Sequence, residues 1–267
     1  MLNNKLDMQH VTQRYVGSRG ETLALEDFTM SVQPGEAVAI LGPSGCGKST
    51  SLLAAAGLRS VTAGDVLIDG KPIDKPRLET ALILQDFGLL PWKTVEQNAG
   101  LALQVRRMPK AERKKRVERA LEQVGLTEFS HAYPNELSGG MRQRLAMARA
   151  LTCDIDLLLM DEPLSALDAL LREEMQNMLK ACWAEQHYAQ VLVTHSIEEA
   201  VFLGQRVYVM SSRPGHVVYV LDNAEMVRDD WRNDPLFFER CRLLRDVLHT
   251  SSHDRAATNG QEVIAHA

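Results

Sequence analysis

Two stretches of this sequence have the residue types that hold phosphate, and a third has those that activate water. Gly42-Pro43-Ser44-Gly45-Cys46-Gly47-Lys48-Ser49-Thr50 fits the phosphate-loop pattern G-x-x-x-x-G-K-[ST] in full. Its glycines let backbone N–H groups curl around a phosphate without Cβ clashes. A helix beginning near Lys48 adds its positive dipole end. Lys48 suits the β- and γ-phosphates as a point charge, and the Ser49 hydroxyl suits Mg2+. Farther along, Asp161-Glu162 follows the apolar run Leu157 to Met160. An aspartate there can hold Mg2+ through water, and the adjacent glutamate can orient and polarise an attacking water. The second phosphate-type stretch is Leu137-Ser138-Gly139-Gly140-Met141, which opens a run of helical spacing to Leu151. It reads as a helix N-terminus built to take an anion.

These residues need a parallel sheet to position them. Ala37 to Leu41 and Leu157 to Met160 are short apolar runs suited to strands buried on both faces. Val191 to Ser196 is a further strand, ending in His195, and Ala81 to Asp86 is another, ending in Gln85. Alone, a strand-end histidine or glutamine says little. In an open α/β sheet, however, ligands bind beyond the carboxyl ends of the strands. Gln85, Asp161-Glu162 and His195 would then share one edge with the phosphate loop. The predicted fold class is α/β, a phosphate-loop NTPase core.

Composition narrows the function classes. At 45% hydrophobic and 24% charged, the 267 residues make an ordinary globular balance with enough apolar material for a large core. The formal net charge of -5 gives no global field favouring nucleic acid. No apolar run approaches the ~20 residues needed to span a bilayer, and MLNNKLDMQH lacks the apolar centre of a signal peptide. Cys46, Cys153, Cys182 and Cys241 lie far apart, as expected of reduced cytoplasmic thiols. Asn4-Lys5-Leu6-Asp7 has the letters of a guanine-reading motif, but it precedes the phosphate loop, so a GTPase is not expected.

Together the motifs resemble the ATP-binding subunits of ABC transporters, over roughly Leu6 to Val220. The family signature is Leu-Ser-Gly-Gly-Gln, and Leu137 to Met141 follows it with one departure. The resemblance implies an ABC-type ATPase core over 6–220 with an inserted α-helical subdomain at about 87–150. A C-terminal helical extension is expected over 221–248 and a disordered tail over 249–267. It also implies a head-to-tail homodimer in which Ser138, Gly139 and Gly140 serve the γ-phosphate of the partner's nucleotide, which would explain the second cradle. Tyr15 resembles the aromatic that stacks on adenine. Gln85 resembles the glutamine that meets Mg2+ or water and couples to the membrane subunit. Ser165 to Asp168 resembles the loop that crosses to the partner, and His195 the switch histidine that contacts the γ-phosphate. Met141 stands where glutamine is usual, and Ser196 where aspartate is common.

Leu89-Leu90-Pro91-Trp92 resembles the nitrate, sulfonate and taurine branch of importer ATPases. Either this cluster faces the core, or it forms part of a groove for a short helix of a membrane partner. Arg106 to Arg119 is densely basic and reads as a solvated helix face, with contact to acidic headgroups as the alternative. Phe237, Cys241, Leu244 and Leu248 share one face of a packing helix. The expected protein is therefore the ATP- and Mg2+-dependent motor of an importer, peripheral on the cytoplasmic membrane face. Its partners would be two transmembrane permease subunits and, indirectly, an extracytoplasmic solute-binding protein. Two rival readings are a soluble ABC ATPase acting on nucleic acid or the ribosome, and a regulatory module that binds nucleotide without turnover. The first lacks its usual long heptads and basic arms here; Glu162 and His195 argue against the second.

Overall fold

The computed structural model describes residues 4–17 and 20–262, with side chains as far as 251. In chain order its strands and helices begin with β1 (Leu6–Gly17), β2 (Gly20–Val32), β3 (Ala37–Leu41), α1 (Lys48–Ala55), β4 (Ala63–Ile68), β5 (Lys71–Pro72) and β6 (Thr80–Ile83). Then come α2 (Val95–Ala99), α3 (Leu101–Val105), α4 (Lys110–Gln123), α5 (Gly139–Leu151), β7 (Leu157–Asp161) and α6 (Ala169–Gln186). The last are β8 (Ala189–Thr194), α7 (Ile197–Leu203), β9 (Arg206–Met210), β10 (Val217–Asp222) and α8 (Pro235–Glu262). The chain divides into two compact units, one of Met1–Arg77 with Ala189–Ala267 and one of Leu78–Tyr188.

The first unit carries an antiparallel sheet in the order β2-β1-β4-β5. It also carries β3, flanked by β8 and β9 in parallel, with β10 antiparallel to β9. Every residue of β3 and of β8 is buried, as expected for strands covered on both faces, and the polar Gln190 of β8 donates to the Leu203 carbonyl at 3.2 Å. Helix α7 packs on β3, and α8 on α7. The α8 face is the one read from the sequence: Phe237, Cys241 and Leu244 are buried, and Leu248 is half-buried. Phe237 meets Trp231 edge-on at 5.9 Å, and the Trp231 indole donates to the Val201 carbonyl at 3.0 Å. Helix α8 continues through Glu262, into the segment expected to be a disordered tail; residues 263–267 lie outside the described residues.

The second unit pairs β6 with β7 in parallel; α5 packs on β6, and α2, α3 and α4 pack on α5. Strand β7, Leu-Leu-Leu-Met-Asp, is buried throughout. The helices have local stop and start signals. Thr94 and Gln97 form a reciprocal capping box at α2, Ser138 caps α5 by accepting from Met141 N, and Asp168 caps α6 by accepting from Leu171 N. Basic α4 buries only Val117, Ala120 and Leu121 and turns most of its charges to solvent, with Arg116 paired to Asp154 at 2.9 Å.

Candidate functional site

In the first unit, sheet register brings the phosphate loop and the histidine together. Leu41 of β3 lies opposite Thr194 of β8, so Gly42 and His195 leave the sheet as neighbours. Gly45 and Gly47 have φ of 75° and 108°, left-handed values that let the loop turn its N–H groups inward. No side chain caps α1, so its first-turn N–H groups are left for an anion. Lys48 is buried, and its Nζ donates to the Gly42 and Pro43 carbonyls, each at 2.9 Å. That uses two of its three donors and holds the ammonium over the loop. Pro43, Ser44, Gly45 and Ser49 are exposed. Cys46 is buried, and burial pushes its thiol pKa up, which makes it a packing residue rather than a reactive one.

Tyr15 is half-buried on β1, with its hydroxyl 3.0 Å from the Thr50 hydroxyl. The Arg59 guanidinium lies 4.8 Å from its ring centroid. The ring is thus tied to the first turn of α1, beside the phosphate loop. His195 is exposed, between two residues that fix the start of α7. Ser196 caps that helix, its Oγ accepting from Glu199 N at 3.2 Å. Ser196 N donates to Thr194 Oγ1 at 3.0 Å, and Thr194 Oγ1 donates to the buried Glu199 carboxylate. Serine and aspartate are equivalent N-caps, which accounts for Ser196 at a position where aspartate is common.

In the second unit, Ile83 of β6 pairs with Met160 of β7, so Gln85 and Glu162 emerge from adjacent strand ends. The strand stops at Ile83 rather than running to Asp86. Phe87 N closes a turn onto the Leu84 carbonyl, and Phe87 and Gly88 take left-handed φ values of 65° and 53°. Gln85 is therefore an exposed loop residue. Asp161 is buried at the end of β7. Glu162 has a φ of 48°, a conformation that costs a non-glycine residue energy and persists only where its surroundings enforce it. Here they do. Its carbonyl accepts from Ser165 Oγ at 3.0 Å, from Ser165 N at 3.3 Å and from Gln143 Nε2 at 3.5 Å.

The two signature glycines differ. A Cβ on Gly140 would lie 3.1 Å from Leu167 Cδ2, so packing within this chain explains that glycine. A Cβ on Gly139 would meet nothing within 4 Å. Among the described residues nothing crowds that position.

Three positioning residues went unread in the sequence. Gln143 is fully buried on α5 behind Glu162. Arg149 donates to the Gly88 and Phe87 carbonyls at 2.6 and 2.7 Å, fixing the loop after Gln85; burial lowers its pKa against the opposing pull of Asp86. Asn98, also fully buried, donates to the carbonyls of Leu90, Lys93 and Thr94 and accepts from Leu90 N at 2.8 Å. The clue for Gln143 and Asn98 is a polar residue on an otherwise apolar helix face. With the loop so held, Trp92 stands 70% exposed, which overturns the core-facing alternative for it.

Comparison with known proteins fits this geometry. The family described as ABC transporter matches residues 25–165. A nitrate import ATP-binding protein of Synechocystis sp. is 43% identical over 212 residues, covering 79% of this chain and 80% of that protein. A taurine import ATP-binding protein of Rhizobium johnstonii is 41% identical over 261 residues, covering 94% and 99%. Among solved structures, a dimeric bacterial ABC transporter cassette superposes with a TM-score of 0.76 at 31% identity, covering 84% of this chain and 99% of that one. The same cassette is known in a dimeric post-hydrolysis state bound to ADP and phosphate.

Proposed function

The chain belongs to the ABC transporter family of ATP-binding subunits, and on that premise we propose that it powers an importer for nitrate or a sulfonate such as taurine. It is an ATP-hydrolysing subunit with the α/β phosphate-loop fold of its family. Two copies pair head to tail, so that each ATP is held by Gly42 to Thr50 of one subunit and by Ser138, Gly139 and Gly140 of the other. Lys48 binds the β- and γ-phosphates, and Tyr15 stacks on adenine. Ser49, Gln85 and Asp161 are the residues to hold Mg2+, which supplies neutralisation of phosphate charge when bound. Among the described residues no three His, Cys, Asp or Glu side chains form a metal cluster. Glu162 orients the attacking water and draws its proton, and His195 contacts the γ-phosphate.

ATP binding closes the dimer and hydrolysis reopens it. That cycle drives two permease subunits fed by an extracytoplasmic binding protein, with Leu89 to Trp92 receiving a short permease helix at the cytoplasmic membrane face. Among the described residues no helix is long and apolar enough to cross a membrane. The observation that supports the reading is the phosphate loop itself, with Lys48 buried and donating to the Gly42 and Pro43 carbonyls; the enforced backbone of Glu162 and the exposed His195 beside Gly42 agree with it. The test is uptake of labelled nitrate and labelled taurine by cells from which the gene is deleted. Loss of uptake of one solute, restored by the wild-type gene and not by Glu162→Gln, is expected. Unchanged uptake of both would overturn the solute assignment.

A further inference from the structure

The phosphate loop has a brace that its own motif does not contain. The turn from Met210 to His216, between β9 and β10, is closed by Ser211. Its N donates to the His216 carbonyl at 3.0 Å, and its Oγ donates to the Pro214 carbonyl at 3.0 Å and accepts from His216 N at 3.1 Å. Gly215 stitches the turn to β2, donating to the Ala24 carbonyl at 2.9 Å and accepting from Glu26 N at 3.1 Å. The same part of β2 backs the loop: a Cβ on Gly47 would fall 2.8 Å from the Ala24 carbonyl oxygen and 2.7 Å from Leu25 Cδ2. On the turn's other side, Gly215 lies so close to the Cys46 carbonyl oxygen that it has no room for a Cβ. A Cβ on Gly42 would meet Met210 Cβ at 3.1 Å. The loop is therefore held between β2 and the 210–216 turn. Exposed Arg213 reaches across to it, and its Nε donates to the Gly45 carbonyl at 3.1 Å across 168 residues of sequence.

We infer that Arg213 is a positioning residue for nucleotide binding, aiming the phosphate loop through the Gly45 carbonyl. A loop that wraps a polyanion must turn its N–H groups toward the anion and its carbonyl lone pairs away. Gly45, at a φ of 75°, has the freedom to flip its flanking peptides, and a flip would point an oxygen at the phosphates. The bond from Arg213 holds that carbonyl outward with a charge-assisted donor. The inference rests on the proposed assignment of Gly42 to Thr50 as the nucleotide's phosphate site.

The test is titration of the purified full chain with fluorescent ATP and ADP analogues in Mg2+, comparing Arg213→Ala, Arg213→Gln and Arg213→Lys with wild type. Arg213→Ala should raise Kd for ATP and ADP equally, by about tenfold, the scale of one charge-assisted hydrogen bond. KM for ATP should rise alike, with kcat within about twofold, because the residue shapes ground-state binding. Arg213→Gln retains an N–H donor and should recover part of the affinity. Wild-type Kd values in Arg213→Ala would overturn the inference. So would weakening confined to ATP, which would make Arg213 a direct γ-phosphate ligand. Recovery by lysine and not by glutamine would also overturn it, since charge alone would then suffice. Should Arg213→Ala fail to fold, the glutamine and lysine variants carry the comparison. Lys48→Ala run alongside separates the two readings. If it loses tight ATP binding while Arg213→Ala does not, this inference alone fails. If it binds as wild type, the phosphate-site assignment fails as well.

Discussion

Glu162 shows how a side chain is made ready for chemistry by its backbone. Its left-handed φ is held by Ser165 and Gln143, both bonded to its own carbonyl. Glu162→Gln keeps the shape and the bonds but loses the base. It should bind ATP normally and hydrolyse it about 10²–10⁴-fold more slowly in a steady-state phosphate-release assay. Retained turnover would move the catalytic role elsewhere. Gln143→Ala tests the support rather than the base. Its amide touches neither phosphate nor metal in the proposed site, so ATP Kd should be unchanged. The freed Glu162 should lower kcat by about ten- to a hundredfold, the scale for a misplaced catalytic group. A rise in KM with unchanged kcat would show that Gln143 serves binding instead.

At the scale of elements, the loop from Leu89 to Thr94 is tied together by one buried amide, that of Asn98, shared among its carbonyls. Removing a fully buried hydrogen-bonding side chain strands those partners, at about 1–3 kcal/mol. Asn98→Ala should therefore lower the melting temperature of the isolated subunit and expose the Leu89–Thr94 segment to limited proteolysis. Trp92→Ala should do neither, because Trp92 packs little against its own chain, yet it should weaken co-purification with the permease from membranes. Early melting with intact assembly would reverse that assignment. These elements also show what the sequence made legible. The strands β3, β7 and β8 were readable because burial on both faces writes a run of apolar residues, Ala37 to Leu41, Leu157 to Met160 and Val191 to Val193. The phosphate loop was readable because its glycines and lysine have fixed spacing. Arg149 and Arg213 were not, because they bond backbone carbonyls, which every residue type presents alike. The end of β6 was misjudged because Phe87, a residue that rarely takes φ of 65°, does so beside Gly88 to close a turn.

At the scale of the whole molecule, the proposed head-to-tail pair gives each of the two phosphate-type helix starts a use. A Cβ on Gly140 would crowd Leu167, whereas among the described residues a Cβ on Gly139 would meet nothing within 4 Å. In a head-to-tail pair, Gly139 leaves space for the partner's nucleotide, and the Ser138 hydroxyl, which accepts from Met141 N, still has its own proton to donate. Gly139→Ala should consequently leave the isolated subunit's melting temperature unlowered, since the new methyl meets open space. The consequence belongs to the dimer. In a Glu162→Gln background, which should trap ATP, the subunit is expected to elute as a dimer on gel filtration with ATP. Adding Ser138→Arg places a bulky side chain where the partner's γ-phosphate docks, and two-fold symmetry applies that block at both sites at once. The double variant should bind ATP with the affinity of the dilute single subunit and elute as a monomer at every ATP concentration. If Ser138→Arg instead abolishes ATP binding by the dilute monomer, the signature helix serves its own chain's nucleotide, and the head-to-tail arrangement does not hold for this protein.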